Sequence, residues 1–510
     1  MAAPLTVLED QTPLVGPTID TGMRIGWMLR MARLVAGEGR FDRLEDMAAA
    51  VQTNVTALHR IETGQARRGV VVDAYERALG LPVGALRAPT DVLCRQFGNG
   101  PVDRDPGQVV DTVAGISALT DLVLDGDPDG SQWLTWARAM SQPFARGLPH
   151  RISFPLVSRL TRELGRAHGR AYPIRHEALA LLRRSAYGPV VLEVVQEIVS
   201  DPHAQMVGGA LSVLAEESSP EAAHWLATLL TVPRMPIFVS ATVALEKMAQ
   251  ISPDPDFWAP LVDLIAEAYE IAEPNTPHWE CLSHLIRLIP PQDRRHLSGW
   301  LPPHALAPLG LETLRSASEP ESVVWQECVE RARRICWEIE IPYQPMLARL
   351  LFDSAFGPYD VRASTTFALL SGLPMITVPL HEQIAQIASQ HHDSGIVLRA
   401  RARLSHSRLG AVPASARGWI DHESPLHRQV ALILLGGAGE KLPEPHVERA
   451  LRSDLASANA ALHGLGLAGD PRLRSVVADE SLPETVRDNA AWWLRAGSRV
   501  VDETDHVARR

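Results

Sequence analysis

Residues 43–64, RLEDMAAAVQTNVTALHRIETG, carry the side chains whose types and spacing best suit a defined chemistry. Leu44, Met47, Ala48 and Val51 recur at helical spacing on one face. Val55, Leu58 and Ile61 do so again after a break at Gln52-Thr53. Asn54 suits the N-cap of the second segment, and Gly64 suits a left-handed C-cap that ends it. Small Ala48 falls where two such helices must approach closely. The spacing predicts two short helices joined by a tight turn. Such a pair serves hydrogen bonding and methyl contact to base edges, made by a second helix laid in a DNA major groove.

The elements that must hold this pair lie on both sides of it. Met23-Arg24-Ile25-Gly26-Trp27-Met28-Leu29-Arg30-Met31-Ala32-Arg33 reads as a helix upstream, and Asp73-Ala74-Tyr75-Glu76-Arg77-Ala78-Leu79-Gly80-Leu81-Pro82 as a helix and closing turn downstream. The whole resembles the lambda-repressor/Cro-like (XRE) family of helix-turn-helix regulators. The likeness runs through the Met47-Ala48 pair, the Val51 turn contact, Leu58 and the Arg60-Ile61-Glu62-x-Gly64 ending. It implies a DNA-binding domain over 23–90 with a recognition helix at 54–63. Val55, Thr56, His59 and Arg60 are then the base readers. Arg60 can donate two hydrogen bonds to a guanine edge, and Val55 and the Thr56 methyl can touch a thymine methyl. The resemblance also implies phosphate contacts from Arg43, Thr63, Arg67 and Arg68, which fix register and make affinity salt-dependent. Arg30 and Glu62 are implied as a structural ion pair. Leu44 departs from the family, which commonly has a polar phosphate contact there. Either Arg43 substitutes or that contact is absent.

The charge pattern is that of a basic head on an acidic body. Residues 21–90 hold ten Arg against seven Asp and Glu, a net of +3, while the 510-residue chain carries −11, which leaves −14 for the rest. DNA binding is then confined to one end. Cys94, Cys281, Cys328 and Cys336 show no CxxC spacing and read as free, buried thiols of a reduced cytoplasm. No secretory signal pattern opens the sequence, and no uninterrupted apolar run reaches the roughly 20 residues that span a bilayer. The expected location is cytoplasmic, on the nucleoid, with no membrane contact. Only Lys247 and Lys441 stand against 47 arginines, a bias of high-GC bacterial genomes.

Residues 1–22, with Pro4, Pro13 and Pro17 and no period, read as a flexible N-terminal arm. Residues 91–150 read as linker and connecting helices, with helical segments near 108–124 and 131–146. Residues 151–394 read as a degenerate helical-repeat region, 395–500 as clearer repeats and 501–510 as a disordered tail. One texture recurs at 174–182, 360–370, 427–436, 459–466 and 485–494: a Val/Arg pair or polar break, then Ala and Leu at helical spacing. This resembles HEAT-like repeats. The fold class expected is all-α, a lambda-repressor-like helix-turn-helix domain followed by a HEAT-like α-solenoid or irregular helical array. The best strand signal is the short Met375-Ile376-Thr377-Val378. Trp133, Trp136 and Trp492-Trp493 are expected to pack in the core.

No P-loop, GxSxG, HExxH or zinc signature occurs. His391-His392-Asp393, with His381 and Asp421, is similar to the His-Asp dyad of HD-type metal phosphohydrolases. A helix over 381–392 that ends at Asp393-Ser394-Gly395 explains these residues equally as polar helix-end groups. Asp125-Gly126-Asp127-Pro128-Asp129-Gly130 begins like a calcium loop, but its twelfth position is Trp136 and Pro128 is awkward there, so it reads as a capping loop. No enzyme is expected, and no catalytic residue, metal or cofactor. The expected function is that of a sequence-specific transcriptional regulator bound to double-stranded DNA as a homodimer on paired half-sites. The body would then make the dimer or hold a peptide, protein or small-molecule effector. The alternative is a helical-repeat scaffold for a protein partner, tethered to DNA by its N-terminal module.

Overall fold

The structure, a computed structural model, describes residues 7–16, 18–37, 39–97, 113–142, 147–252, 254–274, 276–295, 322–408 and 410–501. The fold is all-α. Among the described residues there is no strand, only an isolated bridge between Ala167 and Val500. The strand signal at 375–378 lies inside the helix Pro374–Gln390. Pro374 opens that helix at its first turn, where its missing N–H leaves no bond unmade. Burial of Ile376 and Thr377 then outweighs the strand preference of β-branched residues. No helix among the described residues is long and apolar enough to cross a membrane.

Five helices build the head: α1 (Thr21–Met31), α2 (Leu44–Ala50), α3 (Val55–Glu62), α4 (Gly69–Leu79) and α5 (Arg87–Gln96). α1 is buried along most of its length because it is packed on two sides. Gly22 and Gly26 meet the end of α3. A Cβ on Gly26 would sit 2.7 Å from the Gly64 nitrogen and 2.8 Å from the Glu62 carbonyl oxygen, so only glycine allows this approach. Arg24 and Trp27 face the body instead. Arg24 Nη2 donates to Asp353 at 2.7 Å and Trp27 Nε1 to Gln344 at 3.3 Å. α1 therefore lies between α3 and the body.

Residues 1–22 are not a flexible arm where they are described. Leu8 and Ile19 are in the core, and Asp10 accepts from Arg24 Nε at 2.8 Å. Arg349 donates to the carbonyls of Asp10 and Pro13, and Arg362 to those of Leu14 and Gly16. This segment forms no secondary structure over its described residues 7–16 and 18–20. Its backbone acceptors are satisfied by body arginines more than 300 positions away, a partnership no local pattern reveals. Burial alone would raise the Asp10 carboxyl, but Arg24, Arg349 and the Thr12 bonds lower it from 3.8 to about 2. A carboxyl depressed on folding stabilises the folded state above its unfolded pKa and ceases to do so as pH falls through its folded value. Asp10 should thus contribute about 2 kcal/mol that is present above pH 4 and lost towards pH 2. Acid titration of unfolding, wild type against Asp10→Asn, is expected to show the variant less stable at pH 7 and the two converging near pH 2.

Residues 91–96, expected in a linker, complete α5, a buried anchor helix. Arg95 pairs with Glu177 and Glu216 of the body at 2.6 Å each. Residues 98–112 lie outside the described residues. The connecting helices are Val113–Asp125 and Gly130–Met140, and residues 143–146 of the second expected segment lie outside the described residues. Asp129 caps it in a reciprocal box with Gln132. Trp133 and Trp136 are fully buried edge to face, their ring centroids 5.7 Å apart.

Two cores run through the molecule. One joins the head chiefly to residues 328–493, and the other spans chiefly 123–289. Towards the C-terminus, helices Pro425–Gly437, Leu455–Ala468 and Glu484–Ala496 stack in a row, with Glu444–Leu451 and Arg472–Ala478 between them. Glycines set their spacing: a Cβ on Gly436 would lie 2.3 Å from the Gly464 Cα. After the last helix the chain returns to helix His150–Arg166. Val500 N donates to Arg166 O and His168 N to Val500 O, both at 3.0 Å. Trp492 packs against both cores. The helical array therefore closes on itself. The expected disordered tail, apart from Val501, lies outside the described residues.

Candidate nucleic-acid interface

α3 begins where Asn54 Oδ1 accepts from Ala57 N at 2.7 Å and leaves the chain free to start a helix at Val55. Leu58, Ile61 and Glu62 point inward. Val55, Thr56, His59 and Arg60, spaced i, i+1, i+4 and i+5, form the opposite face, and all four are exposed. The turn before α3 places Gln52 at φ +55, and the turn after it places Gly64 at φ +73. Gly64 has a second reason to be glycine: its Cβ would stand 2.6 Å from the Gly22 carbonyl carbon.

Glu62 fixes the rotation of α3 about its axis. It accepts from Arg33 at 2.7 and 3.0 Å and from the Tyr75 hydroxyl at 2.7 Å. Arg30, the expected partner, stands at 3.5 Å. The main partner is thus Arg33, which the sequence reading missed. Its position one turn beyond Arg30 on the same helix face was the available signal. Arg33 also donates to the Phe41 and Asp42 carbonyls and so holds the loop that leads into α2. Burial acts on both groups. It would lower the Arg33 pKa, yet Glu62 raises it, and it raises Tyr75 together with the Glu62 charge. Both side chains are therefore held in their donor forms.

The four expected phosphate contacts divide. Arg43 is exposed at the start of α2, with only a 3.8 Å pair to the equally exposed Glu45. Such a pair is weak and yields readily to a phosphate. Arg68 is exposed at the start of α4. Thr63 is buried, and its hydroxyl donates to the His59 carbonyl at 2.8 Å, so that donor is already used within the helix end. Arg67 is half-buried, and its Nη1 is shielded from solvent. Leu44 is half-buried against the core.

The histidine and aspartate residues that could have formed a metal site have separate partners. His381 Nδ1 bonds the Thr377 carbonyl, His391 stands 3.8 Å from Glu327, and Asp421 stands 3.4 Å from His446. Asp393 accepts from Gly395 N and Ile396 N and caps the next helix. Among the described residues no three His, Cys, Asp or Glu side chains are grouped to hold a metal ion. No protein-family model matches this chain, and no curated protein matches it either.

Proposed function

We propose that this chain is a sequence-specific DNA-binding regulator that lays α3 in a major groove. The single observation that carries the reading is the exposed quartet Val55, Thr56, His59 and Arg60 on one helix face, backed by the buried Glu62 that orients it. Arg60 reads a base edge, and Arg43 and Arg68 hold phosphates on either side. Thr63, bonded within the helix end, and the half-buried Arg67 drop out of that role. One recognition helix reads too few bases for useful specificity, so two copies act on paired half-sites. An array closed on itself favours a regulator over a scaffold, because a scaffold of stacked helices works through an open concave face.

In vitro selection of a duplex by the full chain, followed by fluorescence anisotropy, tests this. Arg43→Ala and Arg68→Ala are each expected to weaken binding to all duplexes alike. Each should also reduce the slope of log affinity against log salt by about 1. A failure to enrich any sequence would contradict the reading.

A further inference from the structure

Where the array closes it leaves a half-open cavity of about 720 Å³. Residues from seven parts of the chain line it: 168–173, 208–212, 239–247, 338–339, 360–381, 402–408 with 410–411, and Val501. Much of the wall is apolar, with Val243, Ala363, Phe367 and Val378 among its residues. The volume is that of a small-molecule site. We propose that this cavity binds an apolar small molecule bearing one carboxylate, with the Lys247 ammonium as its counter-ion.

Lys247 is one of two lysines in the chain, and it is only 9% exposed. It makes no hydrogen bond or ion pair among the described residues. The carboxylate that senses it, Glu216, is already bonded to Arg95 at 2.6 Å. The Lys247 ammonium on this half-open wall lacks a protein acceptor among the described residues, and a ligand carboxylate would supply one. The other cations on the wall are engaged. Arg403 bonds Asp360 at 3.0 Å, Arg408 bonds the Gly165 carbonyl, and Arg170 the Gly372 carbonyl. Glu338 is exposed at the mouth. His381 adds no positive charge: burial pushes its pKa down to about 4, and its ring leans on Phe367 with centroids 5.3 Å apart.

The wall helix Asp360–Ser371 has a second face. Ser364, Phe367 and Ala368 line the cavity, while Arg362 and Thr366 meet the Asp353–Arg24 cluster under α1. Occupancy therefore bears on the seam between head and body. An effector role rests on the DNA-binding reading, whereas ligand binding itself does not.

Isothermal titration calorimetry of the full chain, without DNA, tests the site with decanoate, dodecanoate and 1-naphthoate, and with dodecanol as the uncharged match. At least one carboxylate is expected to bind once per chain. Lys247→Met should weaken it at least about tenfold, with the melting temperature confirming a folded variant. Ala368→Trp fills the cavity with Lys247 intact and should abolish binding. No binding of any carboxylate, equal binding by either variant, or dodecanol binding as tightly as dodecanoate would overturn the proposal. A chain that binds carboxylate but no DNA keeps this site and loses the regulator reading; the converse result does the reverse.

Discussion

Replacing Arg24 by Met should destabilise the folded chain by about 3–5 kcal/mol, a loss far larger than a surface arginine would give. Arg24 is 1% exposed and joins three parts of the chain. Its Nε bonds Asp10 of the N-terminal segment and its Nη2 bonds Asp353 of the body, at 2.8 and 2.7 Å. Met fills a similar volume but leaves both carboxylates buried with less positive charge. Arg362, 2.7 Å from Asp353, and Arg349, 4.0 Å from Asp10, soften the effect without removing it. Urea unfolding reads the change as a fall in midpoint. Arg43→Ala is the control. Its pair with Glu45 is exposed, so it should cost no more than about 1 kcal/mol. An Arg24→Met chain as stable as that control would show that the head is not held by this cluster.

The second large effect concerns Arg60. Its removal to Ala is expected to cost about 1–3 kcal/mol of specific binding, roughly 5- to 150-fold in Kd, and to relax choice at one base. Arg60 is exposed and its side chain makes no hydrogen bond or ion pair among the described residues, so stability should stay the same. The two variants separate the two functions of the head. Arg24→Met unfolds or loosens it, whereas Arg60→Ala leaves it intact and less selective.

The parts of this molecule that follow from short-range rules were legible in the sequence. Asn54 as a cap, Gly64 as a left-handed stop and the inward Leu58 and Ile61 are local consequences of helix geometry, and so is the outward quartet. The all-helical body was legible from periodicity. What escaped depends on distant pairing. Asp10 reads as part of a flexible arm until Arg24 and Arg349 stand beside it, and Arg95 as linker until Glu177 and Glu216 face it. Thr63 and Arg67 have the right types for phosphate contact, but the His59 carbonyl takes the Thr63 hydroxyl and tertiary packing half-buries Arg67. The return of Val500 to Arg166 sets the cavity that Lys247 faces, and nothing in the repeat texture encodes that closure.

We propose that α3 reads sequence through Arg60. Genome-wide DNA occupancy of the tagged full-length chain in its own host, beside an Arg60→Ala control, tests it most directly. Sharp peaks that share a two-fold-symmetric motif and vanish in the control are expected. Flat occupancy in both, or peaks indifferent to Arg60, would contradict it.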